Sequence, residues 1–242
     1  MQSFLAPALA LLAILAPVGA AQDKGRLPEK PVKEERTGVE FQRTLPAAGG
    51  GTHTLVGTGV RTRTIFNVKV YAIGYYVDLP AAIRVLGKYK ELKAERLEKN
   101  QEFGQDVVLG DHGKTLRLVL VRDVDAEDMR EAFEDELQPR LKEKSKPADL
   151  ESSQKIMDTF RGYFGTNMKE GDTIVFTWQP GGKLYTSVNN QEKGVIESHT
   201  LCWALFDIFL GPDAISPSAR NNFLQGLHAE LRRTAVAAKS NN

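Results

Sequence analysis

A single cysteine, Cys202, in 242 residues excludes any intramolecular disulfide, even in an oxidising compartment. Net charge is nearly absent: 32 Lys and Arg against 31 Asp and Glu leave a formal +1. That removes the bulk positive field on which nucleic-acid binding rests, so no nucleic-acid partner is expected. The four histidines are His53, His112, His199 and His228, and only His199 comes near the cysteine in sequence. Two candidate ligands do not complete a zinc site, so no metal is expected and core packing is the reading for that pair. G-x-S-x-G, H-E-x-x-H and C-x-x-C are all missing, which leaves a hydrolytic or redox enzyme without support. Gly110-Asp111-His112-Gly113-Lys114-Thr115 invites comparison with a phosphate loop, but only two residues separate its glycines where four are needed. No cofactor motif remains.

Charged side chains are also missing from residues 1–20, where an apolar core precedes the small residues Val18-Gly19-Ala20. This is the pattern of a cleaved secretory signal, and it predicts export to a periplasmic or extracellular space. A membrane partner is expected only if the segment is kept as an anchor; no cysteine near the cleavage point offers a lipid attachment of the bacterial type. Residues 21–36, rich in Lys, Glu, Arg and Pro, read as a disordered charged linker. The folded domain is expected over 37–235, with a frayed tail over 236–242.

What the chain does have is a β-rich stretch, GTGVRTRTIFNVKVYAIGYYVD, over 57–78. From Val68 the even and odd positions separate with period two, as on a strand with two distinct faces. Gly57 and Gly59 mark places where the backbone bends or is closely approached. Arg61 is either a solvated strand-end arginine or an anion clamp, since guanidinium meets carboxylate with two parallel hydrogen bonds. On one straight strand Arg61 and Tyr71 would lie about 33 Å apart. A reversal near Phe66 and Asn67 brings position 61 opposite position 71, and Asn suits the turn because it tolerates positive φ.

Around this hairpin the pattern predicts a strand over 39–45, a loop over 46–51 and helices over 80–90 and 91–99. A second hairpin is expected to join 105–109 to 116–122 through the Gly110–Thr115 turn. Helices follow over 125–137, ended or kinked at Pro139, and over 150–164, stopped at Gly165. The acids of 125–137 fall mostly on the outer face of that helix and read as a solvated surface. Pro180-Gly181-Gly182 joins strands 173–179 and 183–188. Residues 195–210 are apolar nearly all round and read as one buried helix. A last helix starts at Ser216-Pro217 with the stripe Phe223, Leu224, Leu227 and Leu231. Antiparallel strands first and apolar helices last make an α+β pattern.

GVR followed by KVYAIGYYVD, KTLRLVLVRDVDAEDMREAF and the closing LFDIFLGPDAISPSAR resemble the chalcone isomerase-like family over about residues 39–231. The resemblance implies an open-faced β-sandwich, an antiparallel sheet backed by a layer of helices, with a ligand in the cleft between the layers. Isomerases of the family use an arginine, a strand threonine, a tyrosine and asparagine on one helix, and a late threonine. Arg61 matches the arginine, whereas Tyr71, Met129, Glu136 and Ile208 stand at the other four positions. Non-catalytic relatives that bind fatty acids hold the carboxylate with an arginine and a tyrosine of one strand pair, and Arg61 and Tyr71 fit that pattern. The resemblance therefore implies a non-catalytic member, exported on the strength of residues 1–20, whose site includes Arg61, Tyr71, Met129, Glu136 and Ile208. Its partner would be a fatty acid or other small apolar carboxylate, with the tail lined by Phe160, Leu205, Phe206 and Phe209. An intramolecular lyase of unknown substrate and an interaction protein with a closed core remain the alternatives.

Overall fold

The computed structural model describes residues 30–63, 66–144 and 150–240. The expected export segment 1–20, residues 21–29 of the expected linker and the last two residues of the expected tail lie outside the described residues.

Seven antiparallel strands form the main sheet in the order β3 (Thr44–Pro46), β4 (Thr52–Arg63), β5 (Val68–Val77), β6 (Lys114–Leu120), β7 (Thr173–Gln179), β8 (Lys183–Val188) and β9 (Gln191–Glu197). Every strand pairs with its neighbours in sequence, so the sheet is a meander interrupted by helical excursions. The excursion after β5 holds α1 (Leu79–Leu86) and α2 (Gln101–Leu109); the one after β6 holds α3 (Ala126–Lys144) and α4 (Leu150–Gly162). The closing helices are α5 (His199–Leu210) and α6 (Pro217–Ser240). Together they make the α+β sandwich with its antiparallel sheet backed by helices.

The period-two pattern of β5 is used on both faces. Tyr71, Ile73, Tyr75 and Val77 join the main core beneath the helices. Ala72 and Tyr76 face the other way, under Phe41. Phe41 belongs to β2 (Glu40–Phe41), which pairs with β1 (Val32–Lys33) in a separate two-stranded sheet. Gly74 gives its ring room, since a β-carbon there would come within 2.5 Å of Phe41. The expected strand 39–45 is therefore divided between two sheets, because Phe41 dives onto the outer face. The expected linker is corrected for the same reason: Val32 packs with this cluster, and buried Glu34 accepts bonds from Thr37 N at 2.8 Å and Thr37 Oγ1 at 2.6 Å.

Three further expectations are corrected. Residues 105–109 belong to α2, not a strand, because Asn100 caps that helix (Phe103 N to Oδ1, 2.7 Å) and Phe103 and Val107 bury one face. Residues 195–197 lie in β9, and the buried helix begins only at His199, capped by the Ser198 hydroxyl accepting from Leu201 N at 3.1 Å. The strand is enforced upstream by a two-residue turn, Asn189-Asn190, with φ of 52° and 62° at the two residues. In 91–99 only a short 3-10 turn, Ala94–Arg96, forms, and α1 stops at Gly87.

Pro139 does not end α3, which continues to Lys144 with Leu137 and Leu141 both buried. The apolar stripe outweighs the one lost N–H and the ring clash. α4 ends at Gly162, three residues before the expected stop, and its end is tightened by Tyr163 N to Phe160 O (3.1 Å) and Phe164 N to Arg161 O (3.1 Å). α6 runs as far as Ser240, past the expected fraying point.

β4 is longer than β3 and would leave an open edge, but α6 covers it. Ser216 Oγ donates to Val60 O at 2.9 Å, and a β-carbon on Gly57 would meet the Phe223 backbone at 3.0 Å. The two glycines in GTG thus serve close approach of a helix.

Candidate functional site

The β4–β5 register pairs Arg61 with Tyr71, through a turn in which Asn67 has φ of 54°. A bulge beside Arg61 separates this pair from the next, Thr62 with Lys69. Tyr71 also pairs with Leu120 on β6, so it sits in the middle of three strands. Both side chains line a cavity of about 380 Å³ between the end of the sheet, α3 and the start of the α5–α6 connection.

The cavity is layered. Its floor is apolar and buried: Tyr71, Met129, Phe133, Ile208 and Phe209. Arg61, Glu136 and Ile215 stand midway, half-buried. Its rim is exposed and charged, with Arg63 and Arg122 set against Asp123, Asp125, Asp128 and Asp135. All five sequence-named residues (Arg61, Tyr71, Met129, Glu136 and Ile208) line this one cavity. Of the residues expected around a ligand tail, Phe209 alone reaches it. Phe160, Leu205 and Phe206 are fully buried in the core instead, so the room expected deeper between the layers is filled by side chains.

The filling has a clear source. Phe133 stacks on Phe164 (centroids 5.1 Å apart) and meets Phe160 and Phe176 edge-on at 5.5 and 5.6 Å. One face of this cluster is the cavity floor; the rest is core.

Burial pushes the Tyr71 hydroxyl well above its usual range; the Arg61 charge opposes that shift and the Glu136 carboxylate adds to it. Tyr71 is therefore a neutral donor at ordinary pH. Arg61 donates through one terminal nitrogen to Ile215 O, which ties the 211–216 connection to the sheet. Its guanidinium has five N–H donors in all. Glu136 is held by Arg140, whose Nη1 reaches Glu136 Oε2 at 2.9 Å while its Nε reaches Asp207 Oδ2 at 2.9 Å. No apolar pattern announced the Ile215 contact or the Arg140–Asp207 link, since the first joins β4 to a loop and the second α3 to α5 across long sequence separations, whereas Glu136 and Arg140 are a local pair four residues apart on α3. Arg122 was legible in principle: it lies two residues beyond Leu120, the partner of Tyr71.

A second polar cluster lies at the opposite end of β5 and β6 and belongs to no cavity described above. Buried Lys114 donates to Gly110 O (2.7 Å) and His112 O (3.2 Å) and lies 4.2 Å from the Trp178 ring centroid. These bonds satisfy carbonyls just past the C-terminal end of α2. His53 Nδ1 lies 2.9 Å from Thr115 Oγ1, which is 3.0 Å from Thr177 Oγ1. Burial pushes Lys114 down to about 7, His53 down to about 4 and the Cys202 thiol up to about 12. Among the described residues, no three His, Cys, Asp or Glu side chains group closely enough to hold a metal ion.

Comparison with known proteins sets this geometry in context. Arabidopsis thaliana fatty-acid-binding protein 1 is 29% identical over 203 residues, covering 82% of this chain and 71% of that protein. A chalcone–flavanone isomerase of Oryza sativa subsp. japonica is 27% identical over 223 residues, covering 85% and 94%. The crystal structure of an Arabidopsis thaliana fatty-acid binding protein matches with a TM-score of 0.72 at 27% identity, over 84% of this chain and 99% of that one. The sequence profile of the family described as chalcone isomerase like matches residues 51–224. With most of the chain inside that match and the fold shared, the protein belongs to the chalcone isomerase-like family.

Proposed function

We propose that this protein binds a fatty acid or other apolar carboxylate in the cavity beneath Arg61, without converting it. The observation that carries the reading is the register pairing of Arg61 with Tyr71 at the wall of a cavity with an apolar floor. Arg61 supplies charge-assisted bonds to the carboxylate and Tyr71 a neutral hydroxyl donor. The relatives named as fatty-acid-binding proteins support the same assignment. At 380 Å³ the cavity lies near the lower end of the range for small-molecule sites, about 300–1,000 Å³, which favours a medium-length chain over a long one.

Similarity to a chalcone–flavanone isomerase raises ring closure as the second reading. Such catalysis gains from oriented reactants and from donors aimed at developing charge. Met129 and Ile208 offer apolar surface where polar contacts would be needed, so binding is the better account.

Isothermal titration with dodecanoic acid tests the proposal. Arg61→Ala should weaken binding by about 2–5 kcal/mol and Tyr71→Phe by roughly 0.5–1.5 kcal/mol. Equal binding by all three proteins would reduce Arg61 to a strand-end arginine, and no binding by the parent would favour an interaction protein. We further propose that residues 1–20 direct export and are removed, as their uncharged apolar character suggests. N-terminal sequencing of the mature protein decides that point, and a cytosolic chain still starting at Met1 would overturn it.

A further inference from the structure

Glu136 is the feature of the cavity that a plain fatty acid does not explain. It is half-buried and lines the same cavity as Arg61 and Tyr71, from α3 where they stand on the sheet. Arg140 takes its Oε2, but the same guanidinium also serves Asp207. One cation is therefore shared between two carboxylates. Glu136 Oε1 has no hydrogen-bond partner among the described residues. A saturated fatty acid held at Arg61 would bring a second carboxylate toward this one and offer it no donor. Like charges brought together at a partly desolvated site oppose binding.

We propose that the ligand is an apolar acid carrying a hydroxyl close to its carboxylate, with Glu136 accepting a hydrogen bond from that hydroxyl. The inference rests on the reading of Arg61 and Tyr71 as the head-group clamp. An O–H donated to an ionised carboxylate is among the stronger hydrogen bonds, so a half-buried carboxylate beside the head-group clamp favours a ligand that supplies one. Selectivity of this kind arises because the competing ligand lacks the donor. Arg140 holds Glu136 in place, so it acts as a positioning residue and does not itself line the cavity.

The test compares dodecanoic acid with 2-hydroxy- and 3-hydroxydodecanoic acid by isothermal titration, on the parent protein, Glu136→Gln and Glu136→Leu. The parent should bind at least one hydroxy acid roughly tenfold more tightly than the plain acid. Glu136→Leu should abolish that preference and bind the plain acid at least as well as the parent does. Glu136→Gln, whose amide oxygen still accepts, should keep part of the preference. Thermal melting checks that the variants fold; if one does not, the comparison of ligands on the parent still decides. Equal binding of all three acids by the parent, or a preference that survives Glu136→Leu, overturns the inference and leaves the carboxylate-binding reading standing. Failure of every acid to bind the parent overturns both.

Discussion

Arg61 donates to the backbone carbonyl of Ile215, joining the wall of the cavity to the α5–α6 connection across more than 150 residues of chain. That contact gives Arg61 a structural duty beside its proposed binding role. The connection is pinned at three further points: Ile215 N to Ile208 O at 2.9 Å, Ser216 Oγ to Val60 O at 2.9 Å, and Arg220 Nε to Leu210 O at 2.9 Å.

Arg61→Ala should therefore lower stability as well as affinity, by about 1–3 kcal/mol, because it leaves a part-buried carbonyl without its donor. Ser216→Ala removes a neighbouring pin but no cavity-lining group, and should cost about 1 kcal/mol with ligand affinity unchanged. Urea denaturation and titration on both variants separate the two roles. Should Ser216→Ala weaken binding as much as Arg61→Ala does, the affinity loss reflects a displaced connection instead of a lost head-group contact.

Phe133 is expected to set the length of chain the cavity accepts. It forms part of the floor and is keyed into Phe160, Phe164 and Phe176 behind it. Phe133→Ala should cost about 3–5 kcal/mol in stability and open space toward the core. Phe133→Leu keeps most of the packing and opens less. Titration with a series from octanoic to hexadecanoic acid should show the optimum moving to longer chains, more for Ala than for Leu. An unmoved optimum in the folded Leu variant, with Ala likewise unmoved or unfolded, would place the length limit elsewhere.

The central hairpin was legible because its signals are local. Alternation over β5 and an Asn at the turn suffice to bring positions 61 and 71 together, and the observed register does so. The late hairpin at Pro180-Gly181-Gly182 was legible for the same reason. Residues 105–109 suit a strand as well as a helix in sequence because the run Val107-Val108-Leu109 fits either element, and the deciding signal, the Asn100 cap, stands seven residues upstream of Val107. Residues 195–197, the end of β9, read as helix because Val195 and Ile196 are as apolar as the run from Leu201 to Leu210, and the polar residues Glu197-Ser198-His199-Thr200 between them mark the division. At the site, sequence spacing leads to Arg61 and Tyr71. It does not lead to the charged rim or to the Arg140–Asp207 contact, which depend on how α3 and α5 are laid over the sheet.

Gly226 should be intolerant of any side chain. A β-carbon there would overlap the carbonyl oxygen of Val56, where α6 crosses the edge of β4. The obstacle is backbone, so no rotamer change relieves it, and α6 would have to lift from the sheet. Gly226→Ala, normally favourable in a helix by about 1 kcal/mol, should instead destabilise by about 3 kcal/mol or more. Gly162→Ala serves as the control, since a β-carbon at that position meets nothing within 4 Å. Equal midpoints in urea for the two variants would mean that α6 does not approach β4 this closely in solution.

Acid should weaken the fold above the range where carboxylates titrate, through the buried histidines at the far end of β5 and β6. His53 is 1% exposed, and burial is the main reason its pKa falls from 6.5 to about 4; Asp78 opposes the shift and Lys114 adds to it. His112, also 1% exposed, is lowered in the same direction, again chiefly by burial. In each case the folded value lies below the unfolded one, so the fold favours the neutral ring. The stability this represents is fully present above about pH 6.5. For His53 it is lost as pH falls from 6.5 toward 4, where the folded protein finally takes up the proton. From pH 7 to pH 5, His53 alone should account for about 2 kcal/mol. Urea midpoints measured at half-unit steps across that window should fall steadily in the parent. His53→Gln, which cannot titrate, should show a shallower fall even if it starts from lower stability, and His112, His228 and Lys114, all lowered by burial, should supply what slope remains. A midpoint that stays level between pH 7 and 5 in the parent would mean that both rings reach solvent, contrary to the packing of His53 against Thr115.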